Sequence, residues 1–222
     1  MARIARVIVP DYPHHIVQRG NRRQDVFFQE DDYHHYLKLI SYWCKKEGVE
    51  IWSYCLMSNH VHLIVKPQAN SNLSRAIGET HRRYTQRINL RENWRGYLWQ
   101  GRFSSFPMDE PYWLSAAAYV ELNPVKTGMV NMPWDYRWSS VHAYLSGESN
   151  DILTLNPLRN QVKDWKTFLK LRMKNNTSAE FESHERTGRP MGNERFIKRI
   201  SDMLGRDLLP KKPGPKVRSK PE

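Results

Sequence analysis

The chain contains 222 residues, with 35 Lys and Arg against 23 Asp and Glu, and its formal net charge at pH 7 is +12. This length allows one good-sized core plus an appendage, and 39% hydrophobic with 12% aromatic residues exclude a largely disordered chain. The excess of positive charge favours a polyanionic partner, and nucleic acid is the first candidate.

Neither membrane insertion nor secretion is expected. No apolar run approaches the ~18 residues of a membrane helix, and the first residues lack the apolar core of a signal peptide. Cys44 and Cys55 fit no C-x-x-C pattern and lie in segments typical of a buried helix and a buried strand, so we expect reduced core thiols. The expected location is the cytoplasm, in association with the nucleoid.

The first predicted strand covers residues 14–19 and ends at a glycine and an asparagine. The turn that follows carries Arg19, Arg22 and Arg23, either as solvated loop charge or as a clamp for phosphates. An acidic run at residues 29–32 then marks the start of an amphipathic helix, which Gly48 ends.

Two strands over residues 49–56 and 60–66 come next and are expected to pair as a hairpin. A helix over 73–89 and a short strand over 102–108 complete the order strand, helix, strand, strand, helix, strand. That order predicts an α+β, ferredoxin-like (βαββαβ) fold, with an antiparallel sheet and helices packed on one face. We expect the other face to be free for a functional site.

The helix predicted from Pro111 to Leu122 presents Tyr119 on a polar stripe, and Pro124 places Asn123 at or just past its end. Beyond Asn150 the apolar content falls, although residues 165–173 and 195–204 still have helical patterns. We therefore divide the chain into a catalytic domain at 1–148, a helical extension at 149–209 and a basic, proline-rich disordered tail at 210–222.

His60 and His62 are the histidines that organise the predicted site. The two-residue period of a strand directs both imidazoles to the same face, either as metal ligands or as a polar rim of the sheet. With the amide oxygen of Asn123 they can hold a divalent cation that keeps positions open for a phosphate oxygen. Tyr119 is then either the nucleophile of a phosphoryl transfer or an ordinary half-buried tyrosine.

Three stretches together resemble the single-tyrosine HUH transposases (IS200-like), and among these the REP-associated tyrosine transposases: SNHVHLIV at 58–65, WQGRF at 99–103 and YVELNPVKTG at 119–128. The resemblance covers about residues 8 to 145. It implies a single-stranded DNA nickase and rejoinase in which Tyr119 forms a 5′-phosphotyrosine. His60 and His62 would bind Mg²⁺ or Mn²⁺, with Asn123 as the third ligand, a position that glutamine occupies in some relatives.

The resemblance also implies the partner, which is single-stranded DNA with hairpins from REP or other palindromic repeats, bound by a monomer or a homodimer. The basic residues expected to contact this DNA are Arg19, Arg22, Arg23, Arg82, Arg83, Arg102, Lys126, Lys211, Lys212 and Lys216. One alternative is a DNA or RNA hairpin-binding protein that keeps the fold without cutting. A phosphoesterase for small nucleotides is a weaker alternative, since it would need two H-x-[Ser/Thr] motifs.

Overall fold

The computed structural model describes residues 5–148, 150–174, 181–182, 184 and 187–209. Within these ranges the strands are β1 (His14–Arg19), β2 (Val49–Met57), β3 (His60–Pro67) and β4 (Ser104–Pro107). They form a four-stranded sheet in the order β2-β3-β1-β4, and each neighbouring pair is antiparallel. The predicted hairpin is confirmed, because β2 and β3 are joined through Ser58 and Asn59 alone.

The helices begin where the sequence supplies caps. Gln29 and Asp32 form a capping box at the start of α1 (Glu30–Lys46), and the Asn72 side chain accepts from the Arg75 amide at the start of α2 (Leu73–Arg91). The remaining described helices are α3 (Glu110–Glu121), α4 (Asn123–Lys126), α5 (Val141–Ser146), α6 (Asn156–Arg159), α7 (Trp165–Lys174) and α8 (Glu194–Leu204). The ferredoxin-like order is confirmed, and the predicted boundaries differ from these by a few residues.

The two faces of the sheet carry different helices. On one face Val61 and Leu63 of β3 are buried in the same core as the apolar sides of α1 and α2. The other face carries His60 and His62, and α3 packs there against β2 and β3. The expectation of a free face is therefore wrong, because the helix that carries Tyr119 covers part of it.

The C-terminal part of the described chain packs onto this body. Leu158, Trp165, Phe181 and Met191 belong to the same hydrophobic core as the sheet, while α8 packs with Val7 and Val9 in a smaller cluster. The division at residue 148 stays a prediction, and the tail at 210–222 lies outside the described residues. Among the described helices, none has both the length and the apolar character needed to span a membrane.

The cysteines occupy the predicted positions. Cys44 is buried in α1 and Cys55 in β2, and both are free thiols. Burial raises the pKa of each thiol above its ordinary value, so both side chains act as small apolar core groups.

Candidate active site

His60 and His62 project from the same face of β3, as the strand period predicts, with ring centroids 4.9 Å apart. They are not solvent-open, however, since His60 is 7% exposed and His62 is fully buried. Burial and, to a smaller extent, the charge of Arg19 lower the pKa of His60 to about 3. Burial and the neighbouring charges lower the pKa of His62 well below 6.5. Both imidazoles are therefore neutral at pH 7, which is the state that binds a metal ion.

The hydrogen bond of His60 identifies which of its ring nitrogens carries the proton. Its Nδ1 lies 2.6 Å from Oδ1 of Asn59, and a carboxamide oxygen can only accept, so Nδ1 donates. The lone pair of His60 is then on Nε2. Asn59 therefore fixes the orientation of the His60 ring, which is how hydrogen-bond partners of metal-binding histidines act.

His62 has a comparable partner in His15, a residue that sequence reasoning missed. Nε2 of His15 lies 2.9 Å from Nδ1 of His62, and the two rings are nearly parallel. Burial lowers the pKa of His15 to about 3, so two neutral rings share this one hydrogen bond. If His62 donates, its own Nε2 carries a lone pair. The sequence shows only that His15 lies in the first strand. No neighbouring residue distinguishes it from an ordinary core histidine.

Tyr119 lies on α3 above the histidines. Its ring meets that of His62 edge-on at a centroid distance of 5.7 Å, and the Nζ of Lys126 lies 4.0 Å from its centroid. Phe181 stacks on the ring at 4.7 Å, which leaves Tyr119 6% exposed. The structure therefore brings together His60, His62 and Tyr119, the three residues on which the predicted chemistry depends.

Glu121 holds α3 in place through a buried polar cluster that the sequence did not reveal. Its carboxylate accepts from the Ser140 hydroxyl at 2.6 Å and from the Trp165 indole at 2.7 Å. Ser53 of β2 adds a longer contact at 3.5 Å. Burial raises the pKa of Glu121 to about 7 despite these hydrogen bonds. The cluster links the helix of Tyr119 to the sheet, to α5 and to α7.

Asn123 begins α4, one helical turn after Tyr119, and is 7% exposed. Its Nδ2 donates to the backbone oxygen of Tyr119 at 3.1 Å, which orients the amide and leaves Oδ1 as an acceptor. In the described part of the chain, no three His, Cys, Asp or Glu side chains form a metal-binding group. The predicted donor set, two neutral imidazoles and one amide oxygen, is of a kind that suits a cation taking its other ligands from substrate and water.

The arginine turn adjoins His60. Arg22 and Arg23 both have positive φ values, of 53° and 62°. A Cβ at Gly20 would lie 2.2 Å from the backbone oxygen of Gln24, so the tight turn requires glycine. The Gly20 amide donates to the Asn59 backbone oxygen at 2.8 Å, and Asn59 Nδ2 donates to the oxygen of Arg23 at 3.1 Å. Asn59 therefore connects this turn to the site.

The other predicted DNA contacts lie at different places. Arg82 and Arg83 on α2 pair with Glu79, on the helix that packs on the opposite face of the sheet. Arg102 lies in the loop before β4, and the Nζ of Lys126 lies beside the Tyr119 ring. The structure thus places Arg19 and Lys126 beside the histidines, but not Arg82, Arg83 or Arg102. Lys211, Lys212 and Lys216 lie outside the described residues.

Comparisons with known proteins identify the family and the fold of the chain. The family model described as "Transposase IS200 like" matches residues 8–123, which include both histidines and Tyr119. A solved REP-associated tyrosine transposase bound to a REP hairpin shares the fold, with a TM-score of 0.58 and 20% identity over 69% of this chain and 92% of that chain. A candidate transposase from Deinococcus radiodurans R1 gives a TM-score of 0.39 and 17% identity over 54% of this chain and 96% of that one. No curated protein matches the chain.

Proposed function

Because the chain belongs to the IS200-like transposase family, we propose that it cleaves and rejoins single-stranded DNA through a covalent bond to Tyr119. The observation that carries this proposal is the position of the Tyr119 ring, 5.7 Å from His62 and beside the neutral pair His60 and His62. A purely structural tyrosine would not require the oriented imidazoles of His60 and His62 beside it. Two neutral imidazoles beside a tyrosine can hold a metal ion that eases attack of the tyrosine on a phosphodiester.

In the proposed step the phenolic oxygen of Tyr119 attacks a phosphorus of the DNA backbone. The new bond joins that oxygen to phosphorus while the bond from phosphorus to the 3′ oxygen breaks. Tyr119 gives up its proton and the leaving 3′ oxygen takes one, so the products are a 5′-phosphotyrosine and a free 3′-hydroxyl. Lys126, with Nζ 4.0 Å from the ring, stabilises the developing phenolate. The reverse step rejoins strands without an external energy source.

We assign a divalent cation, Mg²⁺ or Mn²⁺, to His60, His62 and Asn123. When bound, it supplies charge neutralisation at the scissile phosphate. Asn59 and His15 orient the two imidazoles through their Nδ1 atoms, and Asn123 is oriented by its bond to the Tyr119 backbone. The chain's own contribution is therefore a set of ligands held in place before DNA arrives.

The proposed substrate is a DNA hairpin of the REP type, acted on by a monomer or a homodimer. The positive charge of +12 and the arginine turn beside His60 support a polyanionic partner, and the solved relative in fold is bound to a REP hairpin. Arg19, Arg22 and Arg23 lie where they can hold the stem in register with the catalytic face.

The test is a denaturing gel with a hairpin oligonucleotide labelled on its 3′ side, in the presence of Mn²⁺. The wild-type chain should form a covalent adduct, and Tyr119→Phe should form none while binding the hairpin normally, because only the hydroxyl is removed. Tyr42→Phe, at a 56% exposed tyrosine on α1, is the matched control and should form the adduct.

Adduct formation by Tyr119→Phe would assign the nucleophile to another tyrosine, with Tyr112, Tyr84 and Tyr97 as the rivals. Tyr84 is the weakest of these, because it is fully buried and its hydroxyl donates to the Val26 backbone oxygen. A wild-type chain that binds the hairpin but forms no adduct would favour the alternative function, a hairpin-binding protein that does not cleave.

A further inference from the structure

A groove of about 820 Å³ lies between α2 and the segment that leads into β4, apart from the catalytic face. We call it the α2 groove. Its lining includes Arg82 and Gln86 of α2 and Trp94, Tyr97 and Trp99 of the segment. No Asp or Glu is among the described residues that line it. The groove therefore combines apolar surface with positive charge.

Two exposed aromatic rings line this groove. Trp94 is 45% exposed and Tyr97 is 86% exposed, although large aromatic side chains are normally buried. Phe28 supports Trp94 edge-on at a centroid distance of 5.6 Å. Beneath them Leu98 and Trp99 are buried and form an apolar floor. Such rings offer flat faces on which unstacked bases can lie.

Three arginines also line the groove. Arg6 packs over the Phe103 ring at 3.5 Å and donates to the Phe103 backbone oxygen at 3.1 Å, so its guanidinium is held at the groove. Arg102 lines the groove and is exposed, and Arg82 contributes from α2, where it also pairs with Glu79. Positive charge beside exposed aromatic faces is complementary to a nucleotide chain, which presents phosphates and bases together.

The groove is joined to the catalytic face through backbone hydrogen bonds. The Gln100 amide donates to the Arg19 oxygen at 2.8 Å, and the Asn21 amide donates to the Leu98 oxygen at 2.8 Å. The side chain of Gln18 on β1 adds a bond to the Gly101 oxygen at 3.1 Å. The groove segment and the arginine turn beside His60 are therefore one connected structure.

We propose that the α2 groove binds unpaired nucleotides of the DNA strand on which the catalytic face acts, with bases stacked on Trp94 and Tyr97. This inference rests on the proposed function for the identity of the ligand. Bases inside a duplex do not suit this groove, because the duplex already stacks both of their faces. Phosphates of the same strand contact Arg6, Arg82 and Arg102.

The experiment compares two probes, a blunt DNA hairpin and the same hairpin with a single-stranded extension of about ten nucleotides, a length that single-strand sites cover. Trp94→Ala combined with Tyr97→Ala should weaken binding of the extended probe by about tenfold or more, because each stacked base is worth about 1–3 kcal/mol. Binding of the blunt hairpin should not change. The control is Tyr42→Ala, at a 56% exposed tyrosine on α1, which should leave both probes unaffected.

A second readout uses 2-aminopurine within the extension, whose fluorescence falls on stacking. The wild-type chain should quench it and the double variant should not. Equal loss on both probes, or no loss on either, overturns the proposal, since the groove would then serve the stem or another ligand. If the extended probe is selectively weakened but the wild-type chain forms no covalent adduct, the groove assignment stands and the proposed cleavage fails.

Discussion

His15 and His62 lie on neighbouring strands, and Nε2 of His15 is 2.9 Å from Nδ1 of His62 within the buried face of the sheet. This hydrogen bond occupies Nδ1 of His62, so that nitrogen is not available to a metal ion. The second nitrogen of His15, Nδ1, has no hydrogen-bond partner in the described part of the chain. A proton on His62 Nδ1, donated to His15, leaves His62 Nε2 as the metal-binding atom, and we infer that His15 is the positioning residue for this state.

The first prediction tests that role. His15→Leu should weaken Mn²⁺ binding by about 10–100-fold, the usual effect of removing a partner that orients a ligand. His15→Gln should bind Mn²⁺ more tightly than His15→Leu does. The reason is that Oε1 of the glutamine can accept the hydrogen bond from His62 that Nε2 of His15 accepts. Calorimetric titration with Mn²⁺ measures both, with His60→Ala as the positive control. A lowered melting temperature with unchanged Mn²⁺ affinity in His15→Leu would show a purely structural role.

The second prediction concerns Glu121 and the helix that carries Tyr119. Glu121→Ala should lower the free energy of unfolding by about 2–3 kcal/mol, because it leaves the Trp165 indole without its buried acceptor and removes the shortest hydrogen bond of the Ser140 hydroxyl. Glu121→Gln should lower the free energy of unfolding by less than Glu121→Ala does. Its amide oxygen can still accept from Trp165, and its amide nitrogen can donate to Ser140. Urea unfolding of the two variants provides the measurement, and equal losses would contradict the role given to these hydrogen bonds.

The third prediction concerns pH and uses His14, which lies away from the catalytic face. Its Nδ1 bonds the Tyr12 oxygen at 2.7 Å and its Nε2 accepts from the Val9 amide at 3.1 Å. Burial lowers the pKa of His14 from 6.5 to about 4. Between pH 6.5 and about pH 4, His14 therefore binds a proton in the unfolded chain but stays neutral in the folded chain. The stability that His14 contributes is complete above pH 6.5 and falls as the pH is lowered to about 4.

The size of this effect is roughly 3 kcal/mol, from 1.36 kcal/mol for each pKa unit. His14→Gln removes the titrating group, so the free energy of unfolding of this variant should depend less steeply on pH in that window. The check is a series of urea titrations across the window for both proteins. Identical slopes would show that His14 titrates alike in the folded and unfolded chains.

The fourth prediction separates the tail from the arginine turn. Deleting residues 210–222 removes five basic residues and one acid, which lowers the net charge by four. We expect weaker binding to matched and scrambled hairpins alike and a flatter slope of log affinity against log salt, with cleavage preserved at saturating DNA. Changing Arg22 and Arg23 to Gln should instead reduce cleavage, because their turn is bonded to Asn59 beside His60. A tail deletion that weakens only matched hairpins would show that the tail reads sequence.

Periodicity and caps in the sequence were sufficient to predict the order of the strands and helices and the common face of His60 and His62. They also place Asn123 one turn after Tyr119. These are relationships between residues a few positions apart, and the two-residue and 3.6-residue periods determine them locally. The same local signals identify the arginine turn at Gly20.

Only the tertiary structure decided which distant residues complete the site. His15 meets His62 across 47 positions, Glu121 meets Trp165 across 44, and Phe181 covers Tyr119 from the C-terminal part of the chain. Strand register and helix docking create these contacts, and they leave no periodic trace in the sequence. For the same reason the histidines were expected on an open face and are in fact buried, because the burial comes from α3 and Phe181, whose positions depend on the packing of the whole core.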